Sequence, residues 1–329
     1  AELASRAGAQ AHARPDPFLG RLDFPIPIRH RLPPLDRYAR IELSDGSERK
    51  AGAVETTRGC LHLCRHCPIP PIYGGRFFVV HQETVLADVR QLVAAGAGHI
   101  DFADPDFLNG PGHALAVTRA IQREFPGLTF NFTAKVEHLV KHRGHLRELA
   151  ELGCLFIVSA VESLSGRVLR ELDKGHTRED VFEALAATRK VGIALRPTFV
   201  PFTPWTTRED VVDLIRFIAR EGLVSHVDPV QLSLRLLVPP GSLLLENPSL
   251  KPFLGPLDPE ALTYRWKHPD PGMDQLQEDS EALVADGVSQ GRSAHTVFHD
   301  LAELALEGEE VTVAAAGTRP PRLTETWFC

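Results

Sequence analysis

The sequence predicts an α/β protein built on a parallel sheet. Two observations carry this. Strand-like and helix-like segments alternate six times between residues 53 and 242. One of the strands, "CLFIVSAVE" (154–162), is almost continuously apolar, as a strand covered on both faces must be. Right-handed crossovers then give a parallel sheet coated by helices, either an open doubly wound sheet or a barrel or part-barrel.

The elements follow in order. "AVETTRG" (53–59) reads as a strand that runs into a cysteine loop. Residues 82–96 place Val85, Val89, Leu92 and Val93 at helical spacing. "HIDFAD" (99–104) is a strand, and residues 112–125 form a helix stopped by Pro126-Gly127. "LTFNFTAKV" (128–136) alternates as a strand does. Residues 145–153 form a helix with Gly153 just past its end. After the 154–162 strand, residues 177–192 form a helix capped by Thr177, with Asp180 completing a capping box. "IALRPTFVPF" (193–202) is the fifth strand, 206–222 another capped helix, and "DPVQLSLRLLVPPGS" (228–242) the sixth strand with its exit loop. Three regions result: a leader and wrapping segment (1–50), the βα domain (51–242) and a C-terminal extension (243–329) that is proline-rich, then helical, then an extended tail.

Bulk properties exclude several functions. The chain has 329 residues, 43% of them hydrophobic, which suits a globular protein with a sizeable core. A net charge of −7, with no local Lys/Arg block, argues against a nucleic-acid footprint. No segment approaches the roughly 18–20 apolar residues that span a bilayer, so no membrane partner is expected. The first residues lack the apolar stretch of a secretory signal. Five cysteines, three of them within "RGCLHLCRHCP" (58–68), are not a disulfide framework, and a reducing cytoplasm is the simpler setting.

The polar clusters fall at the carboxyl ends of the strands, where both candidate architectures place their chemistry. Cys60, Cys64 and Cys67 share one short loop and can converge on one inorganic centre. Soft thiolates select zinc, copper(I) or iron–sulfur. A structural zinc site would need His62 or His66 as its fourth ligand, and no second ligand pair is evident. A disulfide would leave one cysteine over. An iron–sulfur cube held by three cysteines keeps one iron open for a small molecule. Arg196 and Arg235 are lone cations within apolar runs, suited to a carboxylate or to a structural ion pair. Lys135 and Glu137 follow the third strand as a substrate contact or a solvated turn. Cys154 reads as a small core residue. Histidines 62, 81, 99, 113, 138, 142 and 145 are scattered, and none is assigned a metal.

Cys-x3-Cys-x2-Cys after the first strand of a βα domain resembles the signature of the radical S-adenosylmethionine (SAM) superfamily, over residues 53 to about 242. The resemblance implies a parallel (βα)6 partial TIM barrel, a [4Fe-4S] cluster on Cys60, Cys64 and Cys67, and SAM chelated by the open iron. His66 stands where the superfamily usually has an aromatic residue, and can pack against adenine, titrate or touch the cluster. Asp104, in "DFADPDF", matches loosely the segment that receives the ammonium group of SAM, against the plainer reading of a helix cap. "SAVESLSGRVLRELDKGHT" (159–177) resembles the fourth-strand segment of many members, which puts Ser159 and Glu162 against the ribose or methionyl part of SAM.

The tail Trp327-Phe328-Cys329 and the loop "RGCLHLCRHCPIPPIYGGR" resemble the CUAEP/CCAEP-tail radical SAM proteins. In that family a second cysteine or a selenocysteine follows, which implies that the next codon here is UGA. The resemblance extends to the enzyme of arsinothricin biosynthesis. It implies transfer of the 3-amino-3-carboxypropyl group of SAM to trivalent arsenic, with Cys329 as a catalytic thiol. Arsenite would be the small-molecule substrate and flavodoxin or ferredoxin the electron donor. Two other expectations stand beside it: a 5′-deoxyadenosyl-radical enzyme acting on another small molecule, and a non-enzymatic zinc module. No cobalamin-type Asp-x-His-x-x-Gly is present.

Overall fold

The computed structural model describes residues 22–308, 311–314 and 319–324. In chain order the strands are β1 (Arg40–Glu42), β2 (Glu48–Val54), β3 (Thr57–Gly59), β4 (Phe77–Val79), β5 (Ala97–Phe102), β6 (Thr129–Thr133), β7 (Cys154–Glu162), β8 (Ala194–Phe199), β9 (Leu254–Asp258), β10 (Thr263–Trp266) and β11 (Arg322–Leu323). Seven of them form one sheet in the order β11-β1-β2-β5-β6-β7-β8. From β2 to β8 every pairing is parallel, and β1 and β11 extend the edge antiparallel. The alternating segments predict this parallel sheet, and its half-barrel form is the one the family resemblance implies.

Helices Gln82–Ala94, Pro111–Glu124, Arg178–Lys190 and Arg208–Arg220 cover the outer face. Their apolar stripes bury Val89, Val117, Ala184 and Ile218 against Ile100, Phe130, Ile157 and Leu195 of the strands. Thr177 and Thr207 each form a full capping box, with Asp180 and Asp210. An aromatic file strengthens the layer at the β5–β6 end. Phe102 and Phe107 stack at 4.7 Å between centroids, and Phe107 meets Phe132 at 4.8 Å. The inner face carries a smaller cluster, Ile41, Ala51, Phe156, Val158 and Leu323, to which both ends of the described chain contribute.

Two expectations are corrected. Residues 53–59 are not one strand: β2 stops at Val54, and Thr57–Gly59 pairs instead with β4 in a separate hairpin. The sixth strand is reduced to a single parallel bridge between Phe202 and Arg235. Pro229 opens a 3-10 turn over Pro229–Leu232, and Pro239-Pro240 ends the segment, so donors are missing on either side of the bridge. The boundary expected at 50/51 falls inside β2, and the C-terminal extension adds β11 to the main sheet. The rest of the extension is the β9–β10 hairpin and helices Pro271–Ser289 and Ala294–Leu306. Among the described residues, no helix is long and apolar enough to cross a membrane.

Candidate active site

The cysteine loop leaves β3 through Gly59, whose φ of 82° and closeness to the Arg76 carbonyl leave no room for a Cβ. From there Cys60, Cys64 and Cys67 are carried over the carboxyl ends of the parallel strands. All three are free thiols, with Cys60 and Cys64 buried. The Cys67 amide donates to the Cys64 carbonyl at 3.2 Å, which curls the loop. Asn109 Oδ1 stands 3.9 Å from the Cys60 sulfur and accepts from the Leu61 amide at 3.4 Å.

The thiols feel one another's charge. Burial, then the charges of Cys64 and Cys60, push the Cys67 thiol up to about 11, and burial pushes Cys60 up as well. Crowded, buried thiols such as Cys60 and Cys67 resist ionising unless a positive centre joins them. Iron is such a centre, and the donor set of three converging sulfurs fits a cluster with one open iron.

Beside the loop lies a buried charged group. Glu162 ends β7 with a φ of 64°. Its Oε1 is 3.0 Å from His66 Nε2 and accepts from Lys174 Nζ at 3.2 Å. Burial opposes the carboxylate, but the Lys174 ammonium and His66 outweigh it and hold Glu162 well below the usual range. Burial likewise opposes the Lys174 charge, and Glu162 with Cys64 and Cys67 raises it. Lys174 therefore joins the carboxylate to the thiol loop. His176, 6% exposed, lies in the same region, and burial and the Lys174 and Lys135 charges take it down to about 4.

The other expected residues divide. Asp104 does not present an open carboxylate: Thr56 N and Oγ1 donate to it at 2.7 and 2.6 Å, and Thr57 Oγ1 at 2.7 Å. It clamps the turn between β2 and β3. The carboxylate whose charge reaches Cys60 is Asp106, at the cap of the following 3-10 turn. Ser159 is engaged within the sheet. It is fully buried and donates to the Ala134 carbonyl at 2.7 Å, tying β7 to the end of β6. Arg235 takes the structural alternative: it pairs with Asp274 at 2.7 Å, donates to the Trp266 carbonyl, and stacks on the Trp266 ring at 3.6 Å. Arg196 stands over the Phe156 ring on the inner face, with Asp228, Arg322 and Arg319 in its field rather than the thiols. Lys135 and Glu137 form an ion pair at 3.4 Å next to His62. Cys154 is buried in the core, as expected. Cys329 lies outside the described residues.

Lys174, His176 and Asn109 had no assigned role in the sequence reading. Lys174 and His176 had a usable signal, a Lys-Gly-His before a capped helix; Asn109 had none. A cavity of about 1060 Å³ opens elsewhere, between the β9–β10 hairpin and the Pro271–Ser289 helix, and holds none of the thiols. Donor chemistry, not volume, marks the site.

Comparison with known proteins agrees with this geometry. The family model of the radical SAM superfamily matches residues 54–218, half of the chain. An uncharacterized methyltransferase of Pyrococcus horikoshii is 29% identical over 205 residues, covering 62% of this chain and 43% of the relative. The hopanoid C-3 methylase of Methylococcus capsulatus is 24% identical over 191 residues, 58% of this chain and 36% of the relative. The chain thus spans less than half the length of either. Among solved structures, the cobalamin-dependent SAM radical enzyme OxsB, with aqua-cobalamin and S-adenosylmethionine bound, superposes with a TM-score of 0.63 at 18% identity, covering 73% of this chain and 42% of that one. With the three-thiol loop on a half-barrel of parallel strands and the family match across that region, the chain belongs to the radical SAM superfamily, whose cofactors are a [4Fe-4S] cluster and SAM.

Proposed function

We propose that this radical SAM enzyme transfers the 3-amino-3-carboxypropyl group of SAM to trivalent arsenic, forming a carbon–arsenic bond and releasing methylthioadenosine. The cluster and SAM would supply the one-electron cleavage of a carbon–sulfur bond; an external reductant such as flavodoxin or ferredoxin would give that electron and a second one, which with a proton releases one arsenic hydroxyl as water and keeps the arsenic trivalent. The protein's share is placement. Cys60, Cys64 and Cys67 would hold three irons. Lys174 sets a fixed positive charge whose field favours the Cys67 thiolate. Glu162, locked by His66 and Lys174, keeps a second carboxylate oxygen for a hydroxyl or ammonium donor of SAM.

The observation that carries the arsenic reading is the Trp327-Phe328-Cys329 tail together with the 58–76 loop, both resembling the CUAEP/CCAEP-tail proteins. Trivalent arsenic prefers sulfur ligands, and a cysteine on a tail can bring it to the barrel mouth.

A second reading has its own support. The relatives named above are a methyltransferase and a methylase, neither named for arsenic, which favours 5′-deoxyadenosyl-radical chemistry on another small molecule. One anaerobic turnover with SAM, dithionite and arsenite, read by mass spectrometry, separates the two. Methylthioadenosine with an aminocarboxypropyl arsenical supports the first; 5′-deoxyadenosine without any organoarsenical sinks it.

A further inference from the structure

A second group of metal-ligating side chains flanks the cysteine loop. His62 projects from the loop between Cys60 and Cys64, Asp106 from the turn after β5, and His138 from the Val136–Lys141 helix after β6. One donor atom from each lies within 4.8 Å of the others. The Nε2 atoms of His62 and His138 face each other at 3.1 Å. Two nitrogen ligands on a tetrahedral zinc stand roughly 3.3 Å apart, so this pair is nearly at ligand spacing.

The other contact is more telling. Asp106 Oδ2 and His138 Nδ1 are 2.7 Å apart, on side chains only 0% and 6% exposed. Neither atom has a hydrogen bond of acceptable angle. Buried polar atoms rarely go without one. An imidazole gives an ion only one nitrogen, and 2.7 Å is shorter than the roughly 3.3 Å between tetrahedral ligands, so what this contact contributes is an orphaned buried carboxylate oxygen beside His138.

Charge agrees. Asp106 and Glu137 face the group with two carboxylates against one ammonium, Lys135, which leaves net negative charge for a cation. His142 and His145 continue from His138 at ring separations of 5.5 and 6.2 Å, and both are half-buried. That file of imidazoles runs from the buried His138 to half-buried positions.

We propose that His62, His138 and Asp106 bind one divalent cation of the zinc class, at a site separate from the three-thiol loop. The ion ties the cysteine loop to the rims of β5 and β6. Three protein ligands leave a fourth position open for water or a substrate oxygen.

The test uses the full chain, loaded anaerobically with its cluster, incubated with zinc chloride and dialysed. Iron and zinc are then counted per chain. The proposal expects one zinc beyond the cluster irons. Asp106→Asn, which keeps the helix-capping oxygen, and His138→Ala should each lose it, at least ten-fold in affinity, with iron unchanged. His62→Gln, on the loop, gives the same readout if a buried variant fails to fold. Zinc-edge X-ray absorption should find nitrogen and oxygen ligands at about 2.0–2.2 Å and no sulfur. Absence of zinc, equal zinc in the three variants, or sulfur ligands at about 2.3 Å with loss of iron would each overturn the proposal.

Discussion

Glu162 adopts a backbone conformation that residues other than glycine rarely hold, at the point where β7 meets the site. Its carbonyl accepts from the Val200 amide at 2.9 Å, and its carboxylate holds the buried Lys174. Removing one member of a buried pair leaves the other uncompensated. Glu162→Gln should therefore cost about 3–5 kcal/mol in urea unfolding of the cluster-free protein. Adding Lys174→Met should restore part of that loss; if the double variant is less stable than the single one, the pair is not coupled as described. Asp104 makes a pH-dependent contribution of the opposite sense. Burial outweighs its three hydrogen bonds and raises the carboxyl to about 6, above its usual value of 3.8. The folded state then binds the proton more tightly than the unfolded state does. Stability from this group is greatest below the unfolded value and falls as the pH rises from about 4 to about 6. Relative to Asp104→Asn, the wild-type chain should lose up to about 1.4 kcal/mol per pH unit across that window, and a flat difference would refute the assignment.

At the scale of elements, the helices were legible because their signals are local. Thr177 with Asp180 and Thr207 with Asp210 announce their helix starts within four residues, and both boxes form. Thr207→Ala should destabilise the protein by about 1 kcal/mol through the lost cap, measurable as a shift in the denaturation midpoint. β7 was legible to the residue, because burial on both faces leaves an unbroken apolar run. The sixth strand was not. "QLSLRLLV" alternates as a strand should, but whether it pairs depends on the proline-bearing turns at its ends and on what Phe202 offers across the gap. The site divides in the same way. Cys60, Cys64 and Cys67 fall within eight residues, so their spacing states their chemistry. The partners of Ser159 and Arg235 were not legible, because the direction of a side chain at a strand end is set by register and by distant groups, the Ala134 carbonyl and Asp274. His62, Asp106 and His138 come from three separate elements, and no local pattern joins them.

At the scale of the whole molecule, the cysteine loop is held from outside the barrel as well as within. The Arg65 amide donates to the Leu172 carbonyl at 2.9 Å, and Ser242 Oγ donates to the Arg65 carbonyl at 3.1 Å. Glu171 is the hub of this seam. Its Oε2 accepts from Asn247 Nδ2 at 2.9 Å and from Ser249 Oγ at 2.6 Å, which fastens the start of the C-terminal extension under the loop. The extension thus stiffens the segment that must hold three sulfurs in one geometry while the strands beneath it are fixed by their own core. Glu171→Ala removes two hydrogen bonds to a charged acceptor, each worth about 1.5–3 kcal/mol. It leaves the sheet untouched, so the expected effect is local opening rather than global unfolding. Hydrogen exchange of the cluster-free protein should show faster exchange in peptides covering residues 60–67 and 242–250, and unchanged protection over β6 and β7. Faster exchange everywhere would mean that Glu171 supports the whole fold. No change at the loop would mean that the extension does not brace it.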